Sequence, residues 1–201
     1  MSRYPIDHKE ETRERILDAA DRIFKESGVD GASIDEIMRD AELTVGGFYG
    51  HFDSKRHLAR EAVAFGIERY LERLLTPLQS ISDDRVWLKG LIRSYLAQMD
   101  DSSLADACPL TLMLPEVARG GPQFQRAFGE RTRVLLDRIA PRFPELAGRS
   151  RRETAVFVFA TCAGAIALAR AIGAPRARER TIASTEAMLS QLLGLDRESA
   201  S

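Results

Sequence analysis

The sequence is poor in the residues that carry most enzyme and metal chemistry. It has 2 Cys, 3 His and 1 Trp in 201 residues. Cys108 and Cys162 form no C-x-x-C pair, and two thiols cannot build a disulfide framework. His8, His51 and His57 fall into no H-E-x-x-H, and neither G-x-S-x-G nor a P-loop occurs, so the chain is read as a non-enzyme without cofactor or metal. Met1 to Glu11 contains no apolar signal run, and the longest uncharged stretch (154–169) is shorter than the roughly 20 residues a bilayer demands. The expectation is a cytoplasmic protein with no membrane association. A charge excess is also missing: 29 Lys+Arg face 30 Asp+Glu, a net charge of -1. Phosphate binding ordinarily shows as a basic excess, although a total says nothing about distribution. The strong Arg preference over Lys is read as composition bias.

What is present is helical periodicity. No segment alternates apolar and polar residues long enough for a sheet. Ile16, Leu17, Ala20, Ile23 and Phe24 form one face of a first helix, and Gly28 stops it. Ser33-Ile34-Asp35-Glu36 reads as a capping box opening a second helix through about Arg39. A short third helix runs from Val45 to about His51 behind Thr44 as N-cap, and Asp53-Ser54 caps a long fourth helix ending near Pro77. Further helices are predicted at Arg85–Met99, Pro109–Ala118, Pro122–Ile139, Arg151–Ile172 and Arg176–Leu193. The fold class is all-α: a three-helix head (9–69) joined by the fourth helix to a helical bundle (70–201).

Three short helices with tight turns suggest a helix-turn-helix. On the third, Phe48 and Phe52 are four apart and pack inward, Val45 and Tyr49 face elsewhere, and Gly46 and Gly50 leave a bare stripe. Glycine there lets backbone N–H groups approach an anion at a helix N-terminus, and a DNA phosphate fits. Thr44, Tyr49, His51 and Lys55 add hydroxyls, an imidazole and an ammonium. The structural reading of the same residues is a Gly-rich loop over an aromatic core pair.

Thr12-Arg13-Glu14-Arg15-Ile16-Leu17-Asp18-Ala19-Ala20, then Ser33-Ile34-Asp35-Glu36-Ile37, then Leu43 through Lys55 (LTVGGFYGHFDSK) resemble the DNA-binding head of the TetR/AcrR family of transcriptional regulators. The match covers about the first third of the chain, and F-Y-x-H-F-x-S-K behind an S/T-x-G is specific. The resemblance implies a dimeric all-α repressor that binds a double-stranded DNA operator and is released by a small-molecule inducer. Residue by residue, it places Thr44, Tyr49, His51 and Lys55 at phosphates and Ser33 near the backbone. Val45, Gly47 and Gly50 match positions that face base edges, with Gly46 beside them, and Phe48 and Phe52 match the core of the head. Two departures stand out. Glu42 occupies the inter-helix turn where the family usually has Gly. Gly47 and Gly50 carry no base-reading side chain, so direct readout falls mainly to Val45, with Arg39, Thr44, an arm bearing Arg3, or DNA shape supplying the rest.

Beyond Tyr70 the likeness is loose. Ala155, Ala160, Ala163, Gly164, Ala165 and Ala167 permit close helix contact, and in the family the last two helices form the homodimer interface. An inducer pocket is expected from the family, with Trp87, Tyr95, Met99, Leu112, Met113, Phe124, Phe128 and Phe157 as lining residues. Cys108 precedes Pro109 and is the expected N-cap of its helix, with Asp106 nearby. That segment resembles electrophile-sensing members, so a redox-sensing repressor acting through Cys108 is the alternative to an inducer-released one. A helical protein-interaction module without DNA binding is the alternative in another class.

Overall fold

The computed structural model describes residues 4–99, 104 and 107–196, with side chains from His8 onward except that of Met99. Met99, Arg3 and Asp106 of the sequence reading therefore lie outside the described side chains. The described residues are helical apart from turns and one isolated bridge, Leu146 to Arg149. In chain order the α-helices are α1 (Tyr4–Gly31), α2 (Ile34–Asp40), α3 (Lys55–Leu75), α4 (Asp84–Leu96), α5 (Pro109–Leu112), α6 (Leu114–Arg119), α7 (Pro122–Ile139), α8 (Arg151–Ala171) and α9 (Pro175–Leu192). The chain divides into two compact units. One joins Met1–Arg69 with Ser103–Arg131, and the other joins Tyr70–Ser102 with Thr132–Ser201. Residues 103–131, expected with the bundle, thus group with the head.

In the first unit, the apolar stripe of α1 (Ile16, Ala19, Ala20, Ile23, Phe24) is buried where α1 packs on α2, and Ile37 and Met38 of α2, Phe48 and Phe52, and Leu58, Ala59 and Ala62 of α3 are buried too. Each large side chain so buried contributes about 1.5–3 kcal/mol, which is why helices too short to persist alone hold here. Gly28 has φ 71 and breaks α1 just before its last turn. Charged pairs fasten the edges: Arg13 to Glu61, Asp18 to Arg69, and Arg22 to Asp18 and Asp40. Lys25 is buried and satisfied by Asp21 at 2.6 Å. Gly66 keeps α3 clear of that carboxylate, since a Cβ there would sit well inside contact distance of Asp21.

Three boundaries differ from the periodicity. Val45–Gly50 is a 3-10 helix, not an α-helix. Three of its six residues are glycine, whose backbone entropy penalises an extended α-helix, and one tight turn suffices to aim both phenylalanines inward. The predicted Pro109–Ala118 helix is two helices broken at Met113. Pro115 has no N–H to donate to the carbonyl four residues back, so the ladder stops. Glu42 adopts the left-handed conformation, with φ 56. The turn is a full Schellman cap: Glu42 N–H donates to Arg39 O (3.0 Å) and Leu43 N–H to Met38 O (2.8 Å). Glutamate is held there at a cost of about 1–2 kcal/mol. Arg15 pins the turn by donating to Ala41 O at 2.5 Å and pairing with Glu42 at 3.5 Å.

In the second unit, α8 and α9 pack along each other and against α4. Ser150 and Glu153 form a complete capping box at the start of α8. Its buried side chains (Ala155, Val158, Cys162, Ala165, Ile166, Ala169) follow helical spacing, and Val158 and Cys162 lie beside Leu91, Ile92 and Tyr95 of α4. By length and a mean hydropathy of 1.7, α8 is apolar enough to cross a membrane, but half of that stretch is buried inside the unit, which accounts for the composition.

Candidate nucleic-acid interface

The site is built around Phe48 and Phe52, both essentially inaccessible. Their rings lie 5.9 Å apart, and Phe52 is flanked by the His57 ring at 5.8 Å and the Arg13 guanidinium at 4.9 Å. With these two turned inward, the helical step between residues forces their neighbours outward. Thr44, Val45, Gly46, Gly47, Tyr49 and Gly50 are all exposed, Tyr49 at 69%. A Cβ at Gly46 or Gly50 would meet no atom within 4 Å, and one at Gly47 only Met38 Cε at 3.9 Å. The bare stripe therefore faces open space, and packing does not explain the glycines. Thr44 is the N-cap by backbone geometry, yet its hydroxyl makes no capping bond. Ser33 does cap: its Oγ accepts from Glu36 N–H at 3.1 Å.

His51 is the distinctive member. Its Nδ1 is buried without a hydrogen-bond partner among the described residues. Its pKa is held below the usual imidazole value, first by burial, then by the positive charges of Lys9 and Arg13. The positive charge of Lys9 and Arg13 around this ring favours an anion nearby. Lys9 and Arg13 were not singled out from the sequence, because only the return of α1 over the turn brings them here. Lys55 is bound to the fold: its Nζ donates to Ala32 O at 2.8 Å and Asp30 O at 3.3 Å. It ties the start of α3 to the end of α1, and an ammonium so engaged keeps a third proton for an anion. His57 accepts at Nδ1 from Asp53 N–H (3.2 Å), which leaves Nε2–H to meet Glu61 at 2.7 Å. Its role is structural.

The residues expected around an inducer are divided between the two units. Trp87 is buried against Phe143 and beneath Arg142, and Tyr95 against Tyr70 and Phe159, all in the second unit. Met113 and Phe124 are buried, and Leu112 and Phe128 partly buried, in the first unit. Phe157 is 45% exposed on α8, because Thr154, Val158 and Cys162 occupy the inward face. The space between Tyr95, Val158 and Cys162 is about 10 Å³, too small for any ligand. Cys108 is the backbone N-cap of α5 and fully buried, so an electrophile reaches its Sγ only by opening that turn. Burial pushes the Cys162 thiol up to about 12.

Comparison with known proteins agrees with this arrangement. Residues 16–62 match the family described as bacterial regulatory proteins, tetR family. The chain is 38% identical over 87 residues to the HTH-type transcriptional regulator SrpR of Pseudomonas putida, which is 43% of this chain and 39% of SrpR. It is 39% identical over 70 residues to the HTH-type transcriptional regulator UidR of Escherichia coli K12, 35% of this chain and 36% of UidR. These matches thus span about two fifths of the relatives' own length. Over the whole fold, the reduced form of Escherichia coli NemR superposes with a TM-score of 0.76 at 20% identity, covering 95% of this chain and 100% of NemR. A TetR transcriptional regulator from Chloroflexus aurantiacus gives 0.72 at 24%, covering 93% and 98%. The head thus matches the tetR family of bacterial regulatory proteins in sequence over residues 16–62, and the chain as a whole has the fold of TetR-family regulators.

Proposed function

We propose that the protein is a DNA-binding transcriptional repressor that acts as a homodimer and is released from its operator by a small molecule. The observation that carries the DNA reading is the exposed, side-chain-free stripe of Gly46 and Gly50, flanked by the exposed Thr44 and Tyr49. Backbone N–H groups there meet phosphate oxygens directly, while Val45 offers a methyl surface to a thymine. The dimer reading is supported by a stripe on α8 in which exposed Phe157 and Leu168 flank exposed Ala160, Gly164 and Ala167. Met188 and Leu192 on α9 are exposed as well. Two-fold symmetry would set two heads one helical turn of DNA apart, about 34–36 Å.

A gel shift on the DNA flanking the protein's own gene tests this. A discrete complex is expected at low salt, weakening as salt rises because each phosphate contact releases counterions; residues 1–42 carry seven basic and twelve acidic side chains and provide no broad basic field, so the affinity without sequence match is modest. Tyr49→Ala with Lys55→Ala should lose the complex and stay dimeric. No complex with the confirmed dimer sinks the repressor reading.

His51 adds a pH signature. The unfolded imidazole keeps its ordinary value while the folded one is lowered, so the stability His51 contributes is present above about pH 6.5 and is lost as pH falls through the folded value. A phosphate drawn close to the ring opposes that lowering through its negative charge, so DNA binding takes up a proton. DNA affinity should therefore rise as pH drops from 7.5 to 6 in about constant salt, and His51→Gln should flatten the profile. Fluorescence anisotropy with labelled DNA measures both, and a profile unchanged by His51→Gln removes this residue from the contact.

A further inference from the structure

The first unit holds a second concave surface, separate from the DNA face. It is a cleft of about 610 Å³ between the end of α1, one side of α3 and the turn joining α6 to α7. Four arginines line it: Arg56 and Arg60 from α3, Arg119 from the end of α6 and Arg126 from the first turns of α7. Arg119 is paired with Glu116 at 3.3 Å, and Arg56, Arg60 and Arg126 have no ion-pair partner among the described residues. Asp30 and Glu116 are the only carboxylates in the wall, so the cleft carries a net positive charge. Its floor is apolar, formed by Val29, Ala59 and Phe124, all buried.

We infer that this cleft is a binding site for a small organic anion, one with an apolar or aromatic body and a phosphate or carboxylate head. The volume is that of a small-molecule site, and apolar walls with a few convergent charges are how such sites hold ligands. Guanidinium forks grip carboxylate and phosphate alike in bidentate fashion. The aromatic ring of Phe124 and the Ala59 face take the body.

The cleft is also wired to the DNA face, and this part rests on the repressor reading. Asp30 lines the cleft, and its backbone carbonyl accepts from Lys55, whose neighbour Arg56 lines the cleft in turn. An anion here neutralises Arg56 and Arg60 and places negative charge behind the phosphate-facing end of α3. Bound anion and bound DNA therefore disfavour each other, and by linkage to the same factor.

Isothermal titration of the full-length dimer with phenyl phosphate, inorganic phosphate and phenol tests the site. Phenyl phosphate should bind, inorganic phosphate more weakly, and phenol not at all. Arg60→Ala and Arg126→Ala, on different helices and both at the surface, should each weaken phenyl phosphate about tenfold with the unliganded melting temperature unchanged. Equal binding of phenol, or unaltered binding in both variants, overturns the proposal. A gel shift with added phenyl phosphate reads the coupling: wild type should lose DNA affinity and Arg60→Ala should not. Failure of the DNA reading abolishes only the gel shift and leaves the calorimetric result intact.

Discussion

Replacing Phe52 with alanine should unfold the head. The side chain is 1% exposed and is the common contact of the Phe48 ring, the His57 ring and the Arg13 guanidinium. Truncating a buried phenylalanine costs about 3–5 kcal/mol from lost transfer energy and the cavity left behind. Whole domains are stable by only about 5–15 kcal/mol, and this head is built from short helices that depend on one another. The 3-10 helix Val45–Gly50 is the first casualty, since its glycines give it almost no intrinsic stability. Urea titration followed by circular dichroism should show the midpoint falling sharply, with DNA binding lost in parallel, whereas Phe52→Leu should keep most of both. A loss under about 1 kcal/mol for Phe52→Ala would show that the ring does not hold the head together.

Gly46→Glu should do the reverse, preserving the fold while abolishing DNA binding. A Cβ at position 46 meets nothing within 4 Å, and the backbone there is not left-handed, so the new side chain enters solvent without strain. Glutamate also has the higher helix propensity, so stability should be unchanged or slightly raised. Against DNA it sets a carboxylate where a phosphate would come. Like charges juxtaposed at an interface cost several kcal/mol, and the dimer incurs the cost in both heads. Affinity should drop by about 100-fold or more at low salt. Gly46→Lys separates charge from bulk: it should retain much of the affinity. Undiminished binding by Gly46→Glu, with melting temperature as in wild type, would remove the glycine stripe from the DNA face.

The two substitutions mark how far the sequence is informative. Helices were legible because helical spacing and caps are local. Ser33, Ser54 and Ser150 each accept a hydrogen bond from an N–H three residues on, and the apolar faces of α1 and α8 follow from their spacing. The inward Phe48 and Phe52 and outward Val45 and Tyr49 were legible for the same reason. Less legible was anything set by a distant partner. Glu42 gives no local sign of left-handed backbone; Arg15 and the Schellman bonds hold it there. Lys55 reads as a free cation until the end of α1 presents two carbonyls to it. Phe157 and Phe124 are alike in the sequence, yet one is half exposed and the other buried in the wall of an arginine-lined cleft.

By itself, the sequence determined that the chain is all-α and that its head carries the FYGHF segment with its glycine stripe, because periodicity, capping and aromatic spacing act within a few residues. The tertiary structure alone decided that residues 103–131 join the head, that the expected inducer-lining side chains are assigned to two different units, and that Arg56, Arg60, Arg119 and Arg126 converge. Those outcomes depend on which apolar faces meet across sequence separations of up to 97 residues in the arginine cleft, from Val29 to Arg126. Burial is non-directional, so a local pattern states that a face will be covered but not by what.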